Sequence, residues 1–276
     1  MKKIGFIGCG KMAGAIISAI KEDYNVIGSE ISEEFAKSAS QRLGIEVYCD
    51  NRKLAQDSDV IFIATKPNQA VEVLEGIKDL ITPQKLVVSI CAGVTTKKIE
   101  NILNPSTSGR GCHEVTGEGK KVIRIMPNTP ALVKLGMFGI CAGSKATDED
   151  VKFIENLLSS IGKCIDVTEK QMDIVTAISG SGPAFFYQVI EDMARAGEKL
   201  GLEYEKSLTL ATQTALGSAQ MIFNRGETPV QTLIDNVATK GGCTFVGIQE
   251  MKKYDSTKVF YDVIDKTTQK ACELGK

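Results

Sequence analysis

A short apolar run that stops on a glycine sets the tightest limit on how this chain folds. Lys3-Ile4-Gly5-Phe6-Ile7 reads as a buried strand. It passes at once into Gly8-Cys9-Gly10-Lys11-Met12-Ala13, which opens an Ala- and Ile-rich helix from Met12 to Ile20. This is G-x-G-x-x-A with strand, turn and helix in the required order. The first glycine makes the tight turn, the second lets backbone approach a pyrophosphate, and Ala13 keeps helix and sheet close. The helix start adds free N–H groups and the positive end of its dipole. A purely structural tight turn is the competing reading, and the strand–turn–helix context favours dinucleotide binding.

The same alternation continues. Val26-Ile27-Gly28-Ser29, Val60-Ile61-Phe62-Ile63-Ala64, Leu86-Val87-Val88-Ser89-Ile90 and Val122-Ile123-Arg124-Ile125-Met126 read as strands two to five. Met137 to Ala142 and Cys164 to Val167 complete the set. Ser32 to Leu43 is helical, with Ser32 as N-cap and Phe35, Ala39 and Leu43 on one face. Continuous rather than alternating apolar strands, separated by helices, predict a mostly parallel sheet covered on both faces. After about residue 168 the strand signals cease. Met172 to Leu200, Tyr204 to Phe223, Pro229 to Val237, Phe245 to Met251 and Val259 to Leu274 read as helices. The expected division is a dinucleotide-binding α/β domain over 1–166 and an all-helical domain over 167–276. The polar, Gly-rich stretch 104–121 reads as a long surface loop.

Composition removes several functions. Lys plus Arg is 33 and Asp plus Glu 34, without the basic excess of a protein that neutralises nucleic-acid phosphates. His113 is the single histidine, which excludes a multi-histidine metal site and leaves a Ser-His-Asp mechanism only that residue. The eight cysteines (9, 49, 91, 112, 141, 164, 243 and 272) include no C-x-x-C. They are expected to be small buried hydrophobes in a reducing compartment. No run of 18 apolar residues occurs, and the apolar start is too short for a secretory signal. The expectation is a cytoplasmic protein without metal, nucleic acid or membrane partners.

Further motifs mark where chemistry would sit. Glu30 ends strand two, where an acid usually bonds the adenosine ribose and disfavours a 2′-phosphate; the alternative is that it faces solvent. Ser29 is a candidate for the same 2′ position, and Arg52 or Lys11 for offsetting the charge. Ala64-Thr65-Lys66-Pro67 and Met126-Pro127-Asn128-Thr129-Pro130 follow strands three and five at the carboxyl edge of the sheet. Ser179-Gly180-Ser181-Gly182-Pro183-Ala184 interrupts a helical pattern, where Gly and Pro cost about 1 and 3 kcal/mol. A kink, a close helix contact or backbone exposed to ligand would compensate. Around Gly241-Gly242 the consecutive N–H groups of Thr239-Lys240-Gly241-Gly242-Cys243-Thr244 form a nest for a carboxylate, or an ordinary interhelical turn with Thr244 near the cap.

Taken in order and spacing, these motifs together with Asp235-Asn236-Val237-Ala238 resemble the pyrroline-5-carboxylate reductase family over nearly the whole chain. The Ser-Gly-Ser-Gly-Pro and Gly-Gly-x-Thr motifs are the specific ones. The resemblance implies a Rossmann domain followed by a helical domain that interlocks two subunits, often in rings of dimers. It implies NADPH or NADH as hydride donor for reducing 1-pyrroline-5-carboxylate to L-proline. By the same resemblance Gly8, Gly10, Lys11, Met12, Ala13, Asn51, Ala64, Thr65, Lys66, Pro67, Cys91 and Ala92 line the cofactor. Glu227, Gly241, Gly242, Cys243 and Thr244 meet the substrate, with Thr244 approaching the ring nitrogen.

Three features depart from the family pattern. Lys240 stands where Pro usually precedes Gly-Gly, the 104–121 loop is about ten residues longer than usual, and position 30 is acidic. Two alternatives stay open from sequence. One is a dehydrogenase of the β-hydroxyacid type, with Lys240 as its catalytic lysine. The other is a reductase-like regulatory protein that has lost activity.

Overall fold

The computed structural model describes residues 2–104 and 119–275. Strands and helices alternate: β1 (Lys3–Ile7), α1 (Lys11–Ile20), β2 (Asn25–Ser29), α2 (Glu33–Leu43), β3 (Glu46–Tyr48), α3 (Asn51–Asp57), β4 (Val60–Ile63), α4 (Pro67–Ile77), β5 (Leu86–Ser89) and α5 (Thr96–Leu103). Then come β6 (Lys121–Met126), β7 (Gly136–Ala142), α6 (Asp148–Leu158) and β8 (Gly162–Asp166). The eight strands form one sheet in the order β3-β2-β1-β4-β5-β6-β7-β8. All pairs are parallel except β6 with β7. The chain moves from β1 outward through β2 and β3, then crosses back to place β4 on the other side of β1. That reversal opens a crevice at the carboxyl ends of β1 and β4, where open α/β sheets bind ligands.

Period-two alternation along each strand sends side chains to two separate cores. Ile4 and Phe6 join Ile16 and Ile17 of α1 on one face, and Phe6 stacks on Phe62 at 4.4 Å. Ile7 and Ile61 join Leu54 and Leu74 on the other. Arg124 is the large exception, only 2% exposed in mid-sheet. Its guanidinium pairs with Glu169. The other Glu169 oxygen accepts from the backbone N–H and hydroxyl of Thr96 at 2.8 and 2.6 Å. Burial opposes ionisation of Glu169, but the Thr96 and Arg124 contacts outweigh it and hold the carboxyl below its ordinary value.

The remaining helices are α7 (Met172–Val175), then a π turn (Thr176–Gly180), α8 (Gly182–Lys199), α9 (Tyr204–Phe223), α10 (Val230–Val237), α11 (Cys243–Lys253) and α12 (Ser256–Leu274). The chain packs as two compact units, Met1–Ser181 with Thr267–Lys276, and Gly182–Lys266. Within the second, α8 and α9 lie together. Tyr204 donates to Glu191 at 2.6 Å, and the Arg195 guanidinium sits 4.2 Å from the Tyr204 ring centroid.

Several sequence expectations are corrected. β3 has no counterpart among them, so the strand expected third is β4. β3 is a three-residue edge strand with a charged member, the short form that blunts a sheet edge. In α2, Ser32 does cap, accepting from Phe35 N–H. The buried stripe, however, is Ala36, Ala39 and Leu43, while Phe35 is 59% exposed. Capping starts the helix at Glu33, and i, i+3, i+7 from Ala36 then faces the sheet. The helix expected from Met172 to Leu200 is broken by the π turn. Cys9, Cys91 and Cys141 are buried and Cys164 half-buried, but Cys49, Cys243 and Cys272 are exposed. Those three sit at an edge-strand end and in terminal helical turns, where no layer covers them. The expected 104–121 loop falls mostly on residues 105–118, outside the described residues, as do Cys112 and His113.

Candidate active site

The β1–β4 crevice encloses about 600 Å³. Its floor is the glycine turn. Gly8 has φ +91°, and a Cβ there would lie 2.8 Å from the Ala64 carbonyl, so only glycine suits the position. Gly10 is different. Its φ is −68°, open to any residue, and a Cβ there meets nothing within 4 Å. Gly10 therefore keeps space empty rather than relieving strain. It is also the N-cap of α1, and no side chain caps the helix. The first N–H groups of Lys11, Met12 and Ala13 are left for a ligand.

The walls follow from the strand ends. Ser29, Glu30 and Ile31 lie on the β2 side, Asp50, Asn51 and Arg52 at the start of α3, and Ala64, Thr65 and Lys66 after β4. Lys66 caps α4 without a side-chain bond, with Pro67 in its first turn. The Thr65 hydroxyl oxygen is buried and has no hydrogen-bond partner among the described residues. An orphaned buried hydroxyl, an empty cradle at Gly10 and an uncapped helix start together fit the pyrophosphate and sugars of a dinucleotide.

Glu30 is half-buried and lines the crevice rather than facing solvent. Its Oε1 accepts the Cys9 N–H at 2.7 Å, folding the carboxylate over the glycine turn. Arg42 from α2 donates to the Cys9 carbonyl at 2.5 Å, so both backbone groups of Cys9 are held by side chains. Burial, reinforced by the Glu30 charge, pushes the Cys9 thiol up to about 12. Ser29, fully buried, donates its hydroxyl to Asn51 at 2.7 Å.

Of the expected cofactor residues, Gly8, Gly10, Ser29, Glu30, Asn51, Ala64, Thr65 and Lys66 come together in this crevice. Lys11, Met12, Ala13, Pro67, Cys91 and Ala92 are not among its walls. Cys91 lies behind it, its thiol 3.3 Å from the Thr65 carbonyl, and burial raises its pKa. Sequence reasoning missed Ile31, Asp50, Gln69 and Glu72. The signal for Asp50 was present, since an Asp before Asn51-Arg52-Lys53 is a standard cap and it does accept from the Arg52 and Lys53 N–H groups. The Met126-to-Pro130 segment does not enter the crevice. Asn128 donates to the Ser179 carbonyl at 3.2 Å and accepts from Met137 N–H at 2.9 Å. Ser179 and Gly180 belong to the π turn, and a Cβ on Gly180 would lie 2.5 Å from the Met126 methyl. The Ser-Gly-Ser-Gly interruption thus resolves into a π turn in close contact, a feature frequent at functional sites.

In the second unit, Gly241 has φ +86° and Gly242 is the N-cap of α11. The Gly242 N–H bonds the Thr239 carbonyl at 2.9 Å and closes the turn. No side chain caps α11 and no acid occupies its first turn. Thr244 is the second helical residue rather than the cap, exposed beside the free N–H groups. Lys240 is exposed in the same turn, and Glu227 is exposed between α9 and α10.

Among the described residues no cluster of metal-ligating side chains occurs, and no helix is long and apolar enough to cross a membrane. The fold and crevice define a Rossmann-type oxidoreductase carrying an appended helical unit. Residues 3–93 match the family described as NADP oxidoreductase coenzyme F420-dependent, and residues 169–274 match pyrroline-5-carboxylate reductase dimerisation. A pyrroline-5-carboxylate reductase of Methanosarcina acetivorans is 37% identical, covering 100% of this chain and 98% of its own. The Plasmodium falciparum pyrroline carboxylate reductase structure with NADP bound is 32% identical with a TM-score of 0.83, covering 100% of this chain and 98% of that one. The Coxiella burnetii pyrroline-5-carboxylate reductase structure is 30% identical with a TM-score of 0.87, covering 100% and 99%. The chain belongs to the pyrroline-5-carboxylate reductase family.

Proposed function

We propose that this chain reduces 1-pyrroline-5-carboxylate to L-proline with NADPH or NADH. The observation that carries the reading is the pair of uncapped helix starts, one at Gly10 beside an empty cradle and one at Gly242 beside Thr244. The first suits a pyrophosphate and the second a substrate carboxylate. When bound, the reduced nicotinamide supplies the hydride, which adds to the imine carbon. A cyclic imine is basic enough to arrive protonated, so its nitrogen already carries the proton of the amine product. The protein's work is then positioning. The Gly241–Thr244 N–H groups hold the carboxylate, the Thr244 hydroxyl bonds the ring nitrogen, and Glu227 flanks the substrate. Gly8 to Ala13, Ser29, Glu30, Asn51, Ala64 to Pro67 and Cys91-Ala92 hold the dinucleotide.

The working form in this reading is a homodimer built through the helical domain, expected over 167–276, with rings of dimers as the larger assembly. Exposed Phe186, Leu210, Leu216 and Phe223 support it, since so much apolar surface on one unit marks an interface. Oxidation of NADH and NADPH, measured separately with the five-membered imine and its six-membered analogue, tests the activity. Turnover with the five-membered ring supports it, and a folded protein that turns over neither imine with either dinucleotide refutes it. Sedimentation gives the assembly size, and a monomer at micromolar concentration would refute the homodimer.

A further inference from the structure

The crevice also carries the information to choose between the two dinucleotides. Resting on the dinucleotide reading above, we propose that it selects NADH over NADPH, and that Glu30 together with the Arg52–Asp79 pair makes the choice.

Glu30 follows β2 directly and lines the crevice. Its anchor to the Cys9 N–H holds the carboxylate in place rather than leaving it to swing into solvent. Only Oε1 is used by a protein donor among the described residues. An ionised carboxylate accepts hydrogen bonds and donates none. It therefore welcomes ribose hydroxyls, which donate, and opposes a 2′-phosphate, which brings close to two negative charges.

A cation would have to offset that repulsion, and apart from Lys11, exposed at the start of α1, and Lys66, those nearby are committed. Arg52 is in the wall, but both its terminal nitrogens are spent on Asp79, at 2.8 and 2.6 Å, and one also donates to the Gly76 carbonyl at 2.7 Å. The Asp79 partner stays charged, because its hydrogen bond from Arg52 lowers its pKa to about 2. Arg42 is tied to the Cys9 carbonyl. Lys53 lies over the Tyr48 ring at 4.4 Å. The hydroxyl of Ser29, another potential phosphate ligand, is already donated to Asn51. Asp50 and Glu72 add two further acids to the walls. Lys66 is the remaining cation there, on the β4 side of the crevice across from Glu30.

Equilibrium titration of the full-length protein with NADH and with NADPH, read by nicotinamide fluorescence or calorimetry, tests this without any imine. The wild type is expected to bind NADH about tenfold or more tightly, as like charges brought together in a cleft require. Asp79→Asn, at an exposed position, frees Arg52 and should tighten NADPH severalfold with little change for NADH. Glu30→Gln should weaken NADH and tighten NADPH. Added salt should shrink the NADPH penalty in the wild type. Selective NADH binding in a protein that fails to reduce the imine would leave this inference standing while refuting the proposed reaction. Equal or tighter NADPH binding by the wild type, or an unchanged ratio in both variants, overturns it. A folded protein that binds neither dinucleotide overturns it together with the reading of the crevice.

Discussion

The sheet unit and the helical unit treat their apolar residues in opposite ways. In the first, Phe6, Phe62, Phe138 and a set of isoleucines are fully buried within a single chain. In the second, burial on α8 and α9 is limited to Gly182, Ala194, Ser207 and Ala211, and α10 and α11 bury no residue. Leu200 is 88% exposed there and Phe186 67%. The sheet unit closes a core on its own, because a parallel sheet covered on both faces consumes its apolar side chains locally. The helical unit displays apolar faces that only further protein can cover. Hydrophobic stabilisation follows area removed from water, so folding energy in the first unit becomes association energy in the second.

That contrast can be broken by substitution. The largest effect is expected for Phe62→Ala, which removes a stacked ring from a closed core and should cost about 3–5 kcal/mol. Chemical denaturation measures it. Phe186→Asp should instead leave the melting of the sheet unit in place and lower the assembly mass in sedimentation. If both variants lose stability equally and neither changes mass, the contrast is wrong. Glu169→Ala comes next, since it strands the buried Arg124 charge, a change worth about 3–5 kcal/mol when a buried pair loses one partner.

The pH dependence of that pair has a definite sign. The Glu169 carboxyl is lowered by folding, so its contribution is fully present above the ordinary value of 4.5 and is lost as pH falls through the lower folded value. Stability of the wild-type sheet unit should therefore hold near pH 5 and decline only in more acid solution. In Glu169→Gln that decline should flatten, which acid titration of circular dichroism reads directly.

Two further substitutions sharpen the comparison at the level of function. Gly10→Val should abolish dinucleotide binding with little change in melting temperature, because the added side chain fills open space at a backbone angle any residue accepts. A folded variant that titrates like the wild type would remove Gly10 from the cradle. Thr244→Val should lower imine turnover by about five- to tenfold, the worth of one hydrogen bond of about 1–1.5 kcal/mol, with unchanged dinucleotide affinity. The smallest effect is chemical. Cys9, buried with its pKa near 12, should resist alkylation at pH 8, while exposed Cys243 should react and be protected by proline.

Much of this was legible in the residues. The strands with continuous apolar character were placed to within a residue or two, since short Val- and Ile-rich runs bounded by turn residues favour a strand buried on both faces over a helix. Ser32 as a cap and Tyr204 to Phe223 as a helix were equally plain. β3 was not, because an edge strand of three mixed residues carries no periodicity. The antiparallel course of β7 was also hidden, since a side-chain pattern is the same in either direction. At the site, the glycine turn and the β4 end announced themselves by motif, whereas Ile31, Asp50 and Gln69 have no local signature.

By itself the sequence determined the glycine turn, the change from α/β to all-helical near residue 167 and the family. Each of these depends on residue type at short spacing, which local chemistry reads directly. Only the tertiary structure decided where Glu30 points, that Arg52 is bound to Asp79 across 27 positions of chain, and that Arg124 is buried against Glu169. Those are pairings between side chains far apart in sequence. A charged residue has the same appearance in a sequence whether it is free or spent, and its partner exists only once the chain has folded.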